Sequence, residues 1–343
     1  MAQKNNSALP LGHQVEGYTI KAQLSMGGFS IVYLAEDENE KDFAIKEYLP
    51  SSLALRQKGE IQPEVKAEHQ NVFRYGMKCF FEEGRALAAM RHPNVVRVVN
   101  FFRANNTVYM VMEYVDGHTL HEVVFGQQKP VSERYIRGVF TRVLNGLREV
   151  HASKLLHLDL KPSNIYMSQN KIPVLIDFGA ARQTLAQTDK ILKPMYTPGF
   201  ASPEHYGDMK QLGPWSDIYS VGASMYALLG RKTPQAANER KEKDEVIPAR
   251  KRWRGRYSDH LLEVVDWCMD MQYMARPQSV YSLQKILISE APIERQPNDS
   301  GGRSGSTAKS ATQPNVKESS ERELTWIERL FSRYGENGGN SKT

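Results

Sequence analysis

Several stretches of this chain combine residue types suited to handling phosphate. The first, Leu24-Ser25-Met26-Gly27-Gly28-Phe29-Ser30-Ile31-Val32, is a turn of small residues between two strand-like runs. Small residues let backbone N–H groups approach a phosphate closely. Taken alone, the same turn is what a plain glycine hairpin looks like. Ala44-Ile45-Lys46 then puts a lysine at the end of a strand-like run, and Glu83 on the following helix is placed to pair with it. Such a pair in isolation reads as a surface ion pair of little energetic weight. Further on come His157-Leu158-Asp159-Leu160-Lys161-Pro162-Ser163-Asn164 and the apolar run Val174-Leu175-Ile176, which ends on Asp177-Phe178-Gly179. Ser202-Pro203-Glu204 follows.

The elements that must position these groups fall into two kinds. The first half alternates short runs of β-branched and aromatic residues with turns, predicting strands over 18–23, 31–35, 42–47 and 108–114. Between them, 75–90 has apolar residues at helical spacing and stops at Arg91-His92-Pro93, where proline ends a helix. The second half predicts helices over 134–151, 216–229, 258–271 and 279–289. A β-rich segment followed by a helical one predicts an α+β fold of two lobes with a cleft between them.

Composition limits the alternatives. Hydrophobic residues make up 40% and charged ones 24%, the balance of a globular protein. A net charge of +6 reads as an ordinary solvated surface with a basic excess, with no specific nucleic-acid partner. Cys79 and Cys268 lie far apart and form no C-x-x-C pair, so neither a disulfide framework nor a zinc site is expected. Two free thiols suit a reducing compartment. No run of 18 apolar residues is long enough to span a membrane, and the start of the chain lacks an apolar signal core, so a cytoplasmic address is expected. From Gln296 to Ser320 large apolar residues nearly vanish, which predicts a disordered linker. In 321–334, Leu324, Ile327, Leu330, Phe331 and Tyr334 fall at helical spacing, with Trp326 broadening that face. This predicts an amphipathic helix able to dock on a partner or within the chain.

The chemistry-bearing motifs, in this order and at this spacing, resemble the signature set of the protein kinases from about Tyr18 to about Ser289. Lys161-Pro162-Ser163-Asn164 is similar to the serine/threonine form of the catalytic loop. The long stretch after Lys46 resembles that of a bacterial eukaryotic-like subgroup. The expected domains are an N-terminal segment 1–17, a kinase domain 18–290 (small lobe about 18–112, large lobe about 117–290), a linker 291–320, a helix 321–334 and a tail 335–343.

The resemblance implies an ATP- and Mg²⁺-dependent protein serine/threonine kinase, with Mn²⁺ as an alternative ion. On it, Asp159 takes the proton of the substrate hydroxyl and Lys161 steadies the γ-phosphate. Lys46 holds the α- and β-phosphates and is held by Glu83, and Asn164 and Asp177 bind the metal. Ser25, Gly27, Gly28 and Ser30 form the phosphate loop. Val32 and Ala44 cover the adenine from above and Tyr166 from below, Met112 is the gatekeeper, and Glu113 and Val115 offer backbone groups to its edge. Thr197 touches Asp159 and Lys161, Glu204 pairs with Arg276, and Asp217 anchors the catalytic-loop backbone.

Three departures stand out against that pattern. Ser25 and Ser30 replace the usual first and third glycines. Leu158 replaces an arginine that in many relatives binds a phosphorylated activation-segment residue, so Thr184 and Thr188 are not expected to be required sites. The segment 47–74 is unusually long and reads equally as a functional element or as an insertion packed on the small lobe. The alternative function, a pseudokinase acting as a nucleotide-binding scaffold, is opposed by the presence of Lys46, Asp159, Asn164 and Asp177 together.

Overall fold

Tyr18–Met26 (β2) and Ser30–Glu36 (β3) pair across the glycine turn, and β3 pairs in turn with Asp42–Tyr48 (β4). The structure is a computed structural model and describes residues 6–127, 129–179 and 196–289. The chain divides into two units, Met1–Ile293 and Glu294–Thr343, and all described residues belong to the first. The expected linker, the helix 321–334, and Thr184 and Thr188 lie outside the described residues.

Gln14–Val15 (β1) and the strands β2, β3 and β4 form one antiparallel sheet with Val98–Ala104 (β7) and Thr107–Glu113 (β8), in the order β1-β2-β3-β4-β8-β7. Two short strands, Ala54–Leu55 (β5) and Glu64–Val65 (β6), pair with each other inside the long segment after β4. Helix Gln70–Ala88 (α1) packs on the sheet and buries Phe73, Met77, Phe80 and Leu87. Gly84 permits the approach, since a Cβ there would sit 3.2 Å from Met110 Cε of β8. The helix begins five residues before the periodic run 75–90 and stops before Pro93.

The larger lobe opens with Gly117–Thr119 (β9), Leu120–Phe125 (α2) and Glu133–Ala152 (α3). Helix α3 starts at Ser132, whose side chain accepts the Tyr135 N–H, one of the donors a helix start leaves unsatisfied. A three-stranded sheet joins β9 to Ile165–Ser168 (β10) and Pro173–Leu175 (β11). Helices Pro214–Gly230 (α4), Ala237–Glu242 (α5), Ala249–Arg252 (α6), Asp259–Cys268 (α7) and Val280–Ile288 (α8) complete it. Every residue of α4 from Ser216 to Leu229 is buried, as expected of a helix apolar nearly all round. Gly222 lets α7 close on it: a Cβ there would lie 2.5 Å from Cys268 Cβ.

The segment between β4 and α1 is packed into the small lobe. Arg56 is fully buried and donates to both Glu47 carboxylate oxygens, at 2.6 and 2.7 Å, and to Tyr33 Oη at 2.8 Å. Glu47 also accepts from the Tyr33 and Tyr109 hydroxyls, each at 2.7 Å. A buried charge pair survives only when its remaining hydrogen-bonding capacity is met, and here it is. Cys79 and Cys268 are free and buried, and burial pushes the Cys79 thiol up to about 11. Among the described residues no helix is long and apolar enough to cross a membrane.

Candidate active site

Asp217, in the first turn of α4, fixes the loop that carries Asp159. Its two oxygens accept the backbone N–H groups of His157 (2.9 Å) and Leu158 (2.8 Å), and His151 Nε2 lies 2.8 Å away. Burial alone pushes this carboxyl up, but the hydrogen bond and charge of His151, with help from His157, more than reverse that and leave it lowered. The anchoring is needed because Leu158 adopts φ 60°, a left-handed conformation costing an L-residue roughly 1–2 kcal/mol. The Leu158 side chain is itself buried, so it offers phosphate nothing.

Asp159 then sits at the centre of a polar cluster. Lys161 Nζ lies 3.2 and 3.1 Å from its carboxylate oxygens. Thr197 Oγ1 accepts from Lys161 Nζ at 2.7 Å and donates to Asp159 Oδ1 at 2.8 Å. Asn164 Nδ2 donates to the Asp159 carbonyl (2.8 Å) and to Oδ2 (3.1 Å), leaving the amide oxygen of Asn164 as its free acceptor end. Four residues named from the sequence are thus brought together.

Strand β11 delivers the second acidic group. Ile176 N–H donates to Asn164 O at 3.0 Å, and Asp177 turns out of the strand at φ 60°. Phe178 packs on His157 with ring centroids 4.5 Å apart, and Gly179 N–H donates to His157 O at 2.8 Å. The conformation of Asp177 is therefore held by its neighbours on the catalytic loop.

Lys46 meets a carboxylate from the other lobe. Its buried ammonium lies 2.7 Å from Asp177 Oδ1, and Glu83, the partner expected from the resemblance, is buried on α1. The left-handed turn at Asp177 brings this carboxylate across from the large lobe. The Lys46–Asp177 pair thus links the two lobes.

Between the lobes lies a cleft of about 430 Å³, within the usual range for small-molecule sites. Of the residues expected there, Ser25, Val32, Ala44, Met112, Glu113, Val115 and Tyr166 line it, with Lys161, Asn164 and Asp177 at its polar end. Glu113 N–H is taken by Arg97 O at 2.9 Å, so Glu113 offers its carbonyl. Gly27, Gly28 and Ser30 form the turn beyond the lined walls. The sequence missed Leu24, Val96 and Ile176, apolar residues whose place on the wall depends on the approach of distant segments. Leu24 alone had a signal, its position just before the glycine turn. Thr119 and Glu122 at the rim form the capping box that starts α2.

The donor set suits a hard cation. No group of three or more His, Cys, Asp or Glu is placed to enclose a metal among the described residues. An ion bound by the oxygens of Asp177 and Asn164 would complete its shell with phosphate oxygens and water, the habit of Mg²⁺.

Away from the cleft, Arg276 braces the large lobe. It donates to both oxygens of Glu204 (2.8 and 3.2 Å) and to the carbonyls of Asp270 and Trp215, and it lies 4.9 Å over the Tyr219 ring. This is the pair expected from the resemblance, and it is buried.

Comparison with known proteins agrees with this geometry. Residues 18–288 match the protein kinase domain. Serine/threonine-protein kinase B of Synechocystis is 31% identical over 229 residues, covering 64% of this chain and 37% of that protein. Human serine/threonine-protein kinase Nek2 is 31% identical over 226 residues, covering 62% of this chain and 51% of Nek2. The chain thus spans about half or less of the length of these curated relatives. The solved structure of the apo form of PpkA-294 superposes with a TM-score of 0.71 at 33% identity, covering 82% of this chain and 99% of that one. The kinase domain of Mycobacterium tuberculosis PknI, at 19% identity and a TM-score of 0.61, shares the fold. On the match over 18–288, the chain belongs to the protein kinase family.

Proposed function

We propose that this chain transfers the γ-phosphoryl group of ATP to serine and threonine hydroxyls of proteins, with Mg²⁺ or Mn²⁺ as the metal. The observation that carries the reading is the Asp159–Lys161–Thr197–Asn164 cluster at the polar end of the cleft, facing the Asp177–Lys46 pair. Phosphoryl transfer asks for positioning and charge neutralisation more than for covalent help. Asp159, fixed by three neighbours, orients the attacking hydroxyl and takes its proton as the new P–O bond forms and ADP departs. Lys161 and Lys46 supply positive charge on either side of the transferred group. Asn164 and Asp177 hold the metal, which neutralises phosphate charge when bound. The contact of Thr197 with both Asp159 and Lys161 supports serine and threonine as acceptors.

The adenine would lie between Val32 and Ala44 on one side and Tyr166 on the other, against the Glu113 carbonyl and the Val115 backbone. The buried free thiols suit a reducing compartment, and we place the chain in the cytoplasm. The test is phosphate transfer from labelled ATP with Mg²⁺ to a generic protein acceptor. Asp159→Ala is expected to lose activity by about 10²–10⁴-fold without losing its fold. Equal activity in that variant would reject the assignment. Nucleotide binding without any transfer by the unaltered chain would favour a scaffold role instead.

A further inference from the structure

The glycine turn is tied to the segment that follows β4. The β3–β4 pairing ends at Ser30 opposite Tyr48, but the contact continues past both strands. Leu49 N–H donates to Phe29 O at 3.0 Å, and Ser51 donates twice to Gly28 O, from its N–H at 2.9 Å and its hydroxyl at 3.2 Å. Phe29 is buried and meets the Tyr48 ring edge-on at 5.1 Å, and Tyr48 packs in turn on Phe73 and Phe80 of α1. The segment is itself clamped. Asn6 Nδ2 donates to Leu49 O (3.4 Å) and Ala54 O (3.2 Å), its Oδ1 accepts the Arg56 N–H (2.6 Å), and Arg56 is locked onto Glu47.

A trans peptide is planar, so the C=O of one residue and the N–H of the next point in opposite directions. Fixing Gly28 O on Ser51 therefore fixes the Phe29 N–H pointing away from Ser51. Among the described residues no backbone acceptor takes that N–H. One peptide of the turn thus has its carbonyl held on the outside and its donor left for a ligand.

From this we infer that the Leu49–Arg56 segment is a strap that orients the glycine turn for nucleotide phosphate, with Ser51 and Asn6 as positioning residues. The inference rests on the proposed nucleotide function of the cleft. It gives the long segment a task, and it explains how a turn flanked by Ser25 and Ser30 keeps its shape without the usual glycines. The turn is closed by its own bond from Gly27 N–H to Ser30 O at 2.9 Å, and the bonds from Leu49 and Ser51 hold it from outside.

Ser51 allows a clean test. It is exposed and is the second residue of the turn closed by Leu53 N–H on Pro50 O at 3.0 Å, a position that accepts proline. Ser51→Pro removes both bonds to Gly28 O and leaves the cleft residues untouched. In the full chain, the dissociation constant of a fluorescent ATP analogue with Mg²⁺ is expected to rise about fivefold, the worth of roughly one net hydrogen bond. KM for ATP should rise in parallel while kcat moves less than about twofold. Ser51→Ala, which keeps the N–H bond, should weaken binding about twofold, and the neighbouring Ser52→Ala should leave it unchanged.

Unchanged affinity in Ser51→Pro overturns the strap, as does equal weakening in Ser52→Ala. If Ser51→Pro gives no cooperative thermal transition, the Ser51→Ala and Ser52→Ala pair decides, and equal affinities overturn it. Wild-type chain that binds nucleotide but transfers no phosphate sinks the kinase reading and leaves the strap standing. Wild-type chain that binds no nucleotide sinks both.

Discussion

The two lobes are each braced by a fully buried arginine holding one glutamate through two hydrogen bonds. In the small lobe Arg56 holds Glu47 at 2.6 and 2.7 Å, and in the large lobe Arg276 holds Glu204 at 2.8 and 3.2 Å. The partners differ. Both arginines spend further donors on backbone carbonyls, Arg276 on those of Asp270 and Trp215 and Arg56 on those of Ser7 and Ile61, but Glu47 also accepts from two tyrosine hydroxyls where Glu204 accepts from the Ser216 hydroxyl. The large-lobe brace supports the segment beside the catalytic cluster. The small-lobe brace supports the strap on the glycine turn. Arginine suits both places because its planar fork meets a carboxylate with two parallel bonds.

The strongest way to break this parallel is to remove each arginine. Arg56→Ala and Arg276→Ala each strand a carboxylate inside the protein, which costs about 3–5 kcal/mol. Urea unfolding of each variant measures it. Equal, large losses would show that the 47–74 segment is as integral as the motif-bearing loop. A loss below about 1 kcal/mol for Arg56→Ala, within the range of an exposed pair, would show the segment to be an appendage. Glu47→Leu combined with Arg56→Leu should recover most of the loss, because no lone charge then remains buried.

The two braces also mark how far the sequence could be read. Glu204 and Arg276 were paired in advance because Glu204 lies in a recurrent motif. The Asp217 anchor and the contact of Thr197 with Asp159 and Lys161 were legible for the same reason. Arg56 had no such signal: one arginine in a polar stretch looks like a surface residue until Glu47, Tyr33 and Tyr109 converge on it from three strands. Strand β7 escaped because Val98, Asn100 and Arg103 do not keep a clean alternation on a half-exposed edge. The Lys46–Asp177 contact was not foreseen because residue types fix which groups are able to pair, not which of them the fold brings to 2.7 Å. The backbone turn at Asp177 decides that, and it is a tertiary property.

A smaller effect sharpens the comparison on the small-lobe side. Asn6 is buried and ties three backbone groups of the strap together through a single side chain. Asn6→Ala leaves those groups without partners and is expected to cost about 1–3 kcal/mol. Hydrogen exchange should localise the change to 49–56 and to the glycine turn, leaving α4 and α7 protected as before. Loss of protection spread evenly through both lobes would mean that Asn6 supports general stability rather than the strap.

The smallest expected difference is in pH response. His205, next to Glu204, is buried, and burial pushes its pKa below the ordinary value in spite of the nearby Asp217 and Glu204 charges. A histidine with a lowered folded pKa resists protonation in the folded protein, while the unfolded chain begins to take up its proton as pH falls through about 6.5. The large lobe should therefore lose stability as pH drops below that value, by up to about 1.4 kcal/mol per pH unit, until the folded pKa is reached. The groups around Arg56 behave otherwise: burial pushes the Tyr33 and Tyr109 hydroxyls up, away from this window. Of the four tryptophans, Trp215, Trp253 and Trp267 lie in the large lobe, none lies in the small lobe, and Trp326 lies in the C-terminal segment, so in a Trp326→Phe background tryptophan fluorescence during urea unfolding follows the lobe that holds His205. Between pH 7 and 5 the stability so measured should fall more steeply with His205 in place than in His205→Gln, which cannot titrate. Identical slopes would show that His205 takes its proton as readily folded as unfolded, and the two braces would then be alike in pH response as well as in geometry.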